Sequence, residues 1–320
     1  MRYPICLIVL SSLLTYNGWC QAIPLQQSIT IPVTLRDPSL QAVETNNTGD
    51  TMLTAHTDGK TSEISLYGAN QARLSHFSVP FVVSKAAIAN SIVLSHRLKS
   101  TDLRFSVCKF DLAGKSIAAC IQDDGLVERL FTHGDNDYAI VGKKGEKEIT
   151  RHVMALLWSD RRTSSQGTIQ ISPNTIYSLL AARNRTILSA DVYTGLTNIC
   201  NSTNMSCQSV SLVAPAMLGT LKDRKAGEVV FRDIVLTESE ILVLRGRQNA
   251  NVGVVVDYFS LESLSYIKSS ILEPTIFADL RRGNDTTGHS WIDGFAVMKK
   301  KVIAYDRRAP LRLLWFSGAK

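Results

Sequence analysis

The run Phe295-Ala-Val-Met-Lys-Lys-Lys-Val-Ile-Ala-Tyr-Asp306-Arg-Arg-Ala-Pro-Leu-Arg-Leu-Leu-Trp-Phe-Ser317 decides how the chain is read. It begins with a short apolar strand and a tight basic turn. A β-branched strand ending on Asp306 follows, then a second turn and an apolar outer strand. Strands this short bury nothing alone, so the hairpin predicts neighbours built in the same way.

Such neighbours recur upstream. From Pro32 to Val79 the chain offers Met52–His56, a turn signal at Asp58-Gly59, Ile64–Tyr67 and Leu74–Ser78, with the alternation that half-buried strands require. From Pro80 it offers Ile92–His96, Leu103–Asp111 and Ile117–Ile121. A third unit holds Tyr138–Val141, Val153–Asp160 and Thr168–Ser172, a compressed fourth holds Ile176–Leu180, Ile187–Asp191 and Leu196–Ile199, and a long fifth runs from Val229 to Ile267. Taking Tyr67, Asp111, Asp160, Asp191, Asp257 and Asp306 as ends of equivalent strands gives a mean spacing of about 48 residues, a propeller-blade period. The expected fold is therefore all-β: a β-propeller of six four-stranded blades, with a β-sandwich carrying long loops as the alternative. Lys85–Ala89 is the best short helical candidate.

With 320 residues, 45% apolar and 20% charged, the chain can bury a large core. A net charge of +7 favours weak attraction to polyanions and says nothing about fold. Residues 1–22 read as a secretory signal peptide: Arg2 supplies the positive start, Ile5–Leu14 the apolar stretch and Ala22 the small residue before cleavage. That stretch is too short to span a bilayer, and an uncleaved anchor is the alternative. Residues 23–320 then form one propeller domain, secreted and without stable membrane insertion.

Cleavage would leave four cysteines, and an even number in a secreted chain favours disulfides. Four allow three connectivities; proximity favours Cys108 with Cys120, across a hairpin turning at Gly114, and Cys200 with Cys207. Sequons at Asn46, Asn184, Asn201, Asn204 and Asn284 agree with that compartment and predict a glycoprotein.

The run Gly294–Gly318 resembles an NHL-type propeller repeat, with its short strand, turn, β-branched strand ending in Ala-x-Asp and outer strand. The resemblance covers about 25 residues and implies a six-bladed fold. Secreted members of that family include binding scaffolds and peptide-amidating lyases. The chain departs from the repeat where Arg307-Arg-Ala-Pro-Leu replaces the usual Asn-x-Arg-Ile turn, and no lyase metal ligand maps onto it, so the fold transfers better than any activity.

Candidate chemistry is sparse. His56 and His96 hold equivalent places in units one and two, and two imidazoles on one rim are weak candidates for zinc or copper. Asp123-Asp124 and Asp135-Asn136-Asp137 offer oxygen ligands for calcium without the twelve-residue loop pattern. No cofactor is expected beyond a structural calcium or zinc ion. Sialidase Asp boxes, a Gly-x-Ser-x-Gly elbow and a P-loop are absent from the sequence. More distinctive are Lys299, Lys300, Lys301, Arg307, Arg308 and Arg312, expected to converge at the turns of the last hairpin as a site for acidic groups. Nucleic acid is not an expected partner, since aromatic platforms between the charges are lacking. These residues point to a binding scaffold for a protein or acidic glycan, with a metal-dependent hydrolase or lyase as the alternative.

Overall fold

Alternating runs separated by Gly, Asn and Asp turns fold here as antiparallel meanders. The computed structural model describes residues 20–36, 38–98, 103–144, 149–169, 178–215, 217, 229–246, 254–272, 292, 294–306 and 312–317. Two strands come first, β1 (Cys20–Ile23) and β2 (Leu25–Thr30). Blade one is β3 (Ser39–Thr45), β4 (Thr51–Thr57), β5 (Ser62–Gly68) and β6 (Arg73–Val79); blade two is β7 (Lys85–Ile88), β8 (Ile92–Arg97), β9 (Arg104–Phe110) and β10 (Ile121–Asp124). Blade three is β11 (Leu126–His133), β12 (Asn136–Lys144), β13 (Ile149–Leu157) and β14 (Arg162–Ile169); blade four is β15 (Ser178–Arg183), β16 (Thr186–Asp191), β17 (Leu196–Asn201) and β18 (Cys207–Ser211). Blade five is β19 (Phe231–Leu236), β20 (Glu240–Arg245), β21 (Val254–Ser260) and β22 (Tyr266–Leu272), and the C-terminal hairpin supplies β23 (Gly294–Met298), β24 (Lys301–Asp306) and β25 (Arg312–Phe316) of blade six.

The fourth strand of blade six comes from the other end of the chain. β2 pairs antiparallel with β25, Ser28 opposite Leu314, so the N-terminal segment closes the ring. The first strand of each blade packs against the first strand of the next, and β23 returns to β3. Six blades thus close one circle, as the hairpin period predicts.

Packing explains why alternation is blurred in the middle strands. Ile92 and Leu94 face blade one in a cluster with Leu53, Ile64 and Leu66, whereas Val93 faces blade three with Leu130 and Ala139. Both faces of a blade are thereby buried, and β5 is buried at every position. Trp315, fully buried, joins Met52 and Tyr67 across the seam between blades six and one. Burying a large side chain stabilises by roughly 1.5–3 kcal/mol, so this seam anchors ring closure.

Both cysteine pairs are disulfides: Cys108–Cys120 spans the turn at Gly114, and Cys200–Cys207 joins residues directly opposite on β17 and β18. Such bonds belong to oxidising compartments. Among the described residues no helix is long and apolar enough to cross a membrane.

Two sequence expectations change. Lys85–Ala89 is not helical; Lys85–Ile88 is the innermost strand of blade two, because its apolar residues fit between two blades. The Asp markers are not equivalent: Asp111 follows a third strand, Asp191 and Asp306 end second strands, and Asp257 lies inside a third strand. Blade four, although compressed in sequence, keeps the expected four strands. β1 also adds a fifth, parallel strand to blade five and spans the expected cleavage point after Ala22.

Candidate ligand-binding channel

Six first strands surround a cavity of about 590 Å³ on the propeller axis. Its wall carries five cationic side chains, Lys85, Arg97, Arg129, Arg151 and Arg183, against three acidic ones, Glu44, Glu128 and Asp233. In β11 the pairing slips between Val127 and Arg129, leaving Glu128 as a bulge. The same slip occurs at Gln41 in β3 and Arg232 in β19, so alternate blades re-aim side chains beside the channel.

The two residues at the β11 bulge go separate ways. Glu128 Oε2 accepts from Arg151 Nε of the same blade at 2.6 Å. Arg129 Nη2 reaches over blade two and donates to Glu44 Oε2 of blade one at 2.5 Å, while Arg129 Nε is buried without a partner. Burial pushes the Glu44 carboxyl above its ordinary range; Arg129 and Lys85 pull it down, and Asp233 pushes it up again.

One mouth of the channel is bridged. The β3–β4 turn is tied by Asn46 Oδ1, which accepts from the amides of Asp50 and Thr51 at 3.0 and 3.2 Å. Beside it, Asn47 Nδ2 donates to Thr132 Oγ1 of blade three at 3.3 Å, and the Asn47 carbonyl accepts from Arg183 Nη2 of blade four. Arg183 Nη1 donates onward to the Leu236 carbonyl of blade five at 3.2 Å. These contacts lie where the first strands end, so successive turns of each meander can be assigned to one face or the other. Asn46 and Asn184 sit at turns between first and second strands, and Asn201 and Asn204 flank a turn between third and fourth strands. All four described sequons therefore share the bridged face, with the loops closed by both disulfides.

Among the described residues, the last hairpin divides its cations between two ends. Lys299 and Lys300, exposed and both at positive φ, form its two-residue turn on the bridged face, where Lys299 lies near Asp50. Lys301 opens β24, but Arg312 pairs with Asp306 at the far end of that strand, roughly 17 Å away at about 3.3 Å per residue. Arg307, Arg308 and Asn284 lie outside the described residues.

The histidines are engaged differently. His56 is 1% exposed, with both ring nitrogens unbonded, and burial holds its pKa down to about 4. Its cross-strand neighbour Glu63 accepts from the Thr34 amide at 3.1 Å, tying down the link between β2 and blade one. His96 stacks on Phe81 with centroids 4.1 Å apart. Asp137 accepts from Lys109 Nζ at 2.7 Å and Trp158 Nε1 at 2.8 Å, and Thr163 donates to Asp123. Among the described residues, no group of three or more His, Cys, Asp or Glu side chains could hold a metal ion.

Glu44, Arg129 and Arg183 are thus the functional candidates that sequence reasoning misses. The available signal was a charge set inside an apolar run, as in Ala42-Val43-Glu44 and Val127-Glu128-Arg129-Leu130-Phe131.

No family model and no curated protein matches the chain. Solved structures do. The β-propeller domain of Cps50 (Swd1) from Myceliophteria thermophila superposes with a TM-score of 0.51 at 9% identity, over 92% of this chain and 99% of that one. This chain has the β-propeller fold. RRP9 WD40 repeats follow at TM-score 0.49 and 9% identity, over 92% of this chain and 99% of theirs, and a luciferin-regenerating enzyme at 0.48 and 10%, over 88% and 91%.

Proposed function

We propose that the protein is a secreted, glycosylated binding propeller whose axial channel receives an acidic group of a glycan or protein partner. The observation that carries this reading is the channel's charge: cations outnumber carboxylates, and Glu44 and Glu128 are each already held by an arginine. An incoming anion meets net positive potential inside low-dielectric walls, where charge-assisted hydrogen bonds are strong. The bridged mouth and the shared face of the sequons support approach from the opposite side, where Lys85 starts β7 and Arg97 ends β8. The resemblance of residues 294–318 to an NHL-type repeat belongs to the same reading. Glu44 and Glu128 each already give one oxygen to an arginine, which favours the binder over the hydrolase or lyase alternative.

Binding to heparan sulfate and hyaluronan immobilised on a sensor surface, with neutral dextran as control, tests the reading. Retention of an acidic glycan that weakens with salt, and weakens about tenfold more in Arg97→Glu, is the expected result. Equal retention on dextran, or an Arg97→Glu variant that binds as well as the parent, would sink it.

A further inference from the structure

The Glu44–Arg129 pair crosses a cavity instead of sealing a strand interface. A guanidinium carries five donors in a planar fork suited to two oxygens of one anion, yet Arg129 gives Glu44 a single close contact and its Nε finds no acceptor. The site is shaped for an oxyanion and holds one supplied by the protein itself. Building on the binding reading above, we infer that Glu44 is an internal occupant of an oxyanion site centred on Arg129, which an incoming ligand oxyanion displaces and which mild acid vacates.

The exchange balances simply. Glu44 takes up one proton, its oxygen leaves the Arg129 Nη2 hydrogen, and that hydrogen together with the idle Nε–H turns to the two oxygens of the incoming group. Around Glu44 stand Arg129 from β11, Lys85 from β7 and Asp233 from β19. Farther along the wall are the Glu128–Arg151 pair, Arg97, Arg183 and Tyr305. The Asp233 carboxylate opposes the charged form of Glu44 and favours its protonation, whereas Lys85 favours the charged form. Burial penalises the charge of Glu44 and raises its pKa above the ordinary carboxylate value, so acid favours its release from Arg129.

Calorimetric titration with sodium sulfate at constant ionic strength, at pH 7.5 and pH 5, tests the inference, because sulfate stays a dianion at both. The parent protein should bind sulfate about tenfold more tightly at pH 5. Glu44→Gln should bind at pH 7.5 as the parent does at pH 5 and lose its pH dependence, whereas Arg129→Met should lose the enhancement at both. A parent affinity that does not change with pH overturns the inference. So does a pH dependence that survives in Glu44→Gln, which would assign it to histidines such as His96 beside Arg97. If Glu44→Gln fails to fold, the parent curve and Arg129→Met decide. Sulfate binding that is pH-independent but weakened by Arg97→Glu removes the gate and keeps the binding channel; no sulfate binding at either pH removes both.

Discussion

Two arginine–carboxylate pairs in this propeller differ in one respect that separates scaffold from site. In blade five, Arg245 Nε and Nη2 donate to the two oxygens of Asp257 at 2.7 Å each, and Ser269 and Tyr266 extend the network. All four residues lie on neighbouring strands, and the Asp257 side chain is 1% exposed. Between blades three and one, Arg129 makes one contact with Glu44 across open space, and the two side chains retain 26% and 14% of their exposure. The first pair has its geometry satisfied by its own blade. The second leaves donors spare beside a cavity, the condition under which a ligand can compete with the protein for the same arginine.

The largest effect should come from the satisfied pair. Arg245→Met strands a buried carboxylate and should cost about 3–5 kcal/mol of unfolding free energy, read by chemical denaturation. Arg245→Met combined with Asp257→Asn should recover much of it. His56 provides a third case, a buried polar group whose ring nitrogens have no hydrogen-bond partner among the described residues. Its folded pKa of about 4 lies below the ordinary 6.5, so the unfolded chain binds a proton that the folded protein refuses. Stability from this residue is complete above about pH 6.5 and falls as pH drops toward 4, by roughly 3 kcal/mol. His56→Leu should flatten that acid limb while leaving stability at pH 7.5 nearly unchanged, as melting curves across pH would report.

Smaller effects belong to the channel pair. Arg129→Met should cost only about 1–2 kcal/mol, because Glu44 keeps access to the cavity and can protonate. Glu44→Gln should change stability by under about 1 kcal/mol, since losing the ion pair is offset by removing a charge that burial penalises. A loss on Arg129→Met as large as that on Arg245→Met would break the comparison and make Glu44–Arg129 a structural pair.

Much of the architecture was legible because it is short-range. The run 295–317 names a hairpin from turn chemistry and β-branching, and β23, β24 and β25 follow it. Cys200 and Cys207 sit close enough in sequence for a cross-strand bond. Lys85–Ala89 misled because a four-residue strand buried between two blades has too few positions to show a period. The repeated Asp residues misled because a polar residue at a strand end serves turns of several kinds.

The sequence by itself determined the all-β class, the recurring hairpins, the two cysteine pairs and the turns, since each depends on residues a few positions apart. Ring closure was decided in three dimensions: β2 meets β25 from the opposite end of the chain. The same closure sets Glu44 on Arg129 and Asn47 on Thr132, each pair 85 residues apart. Lys299 and Arg312 stand at opposite ends of β24, because an antiparallel strand carries its two ends to opposite faces of the ring.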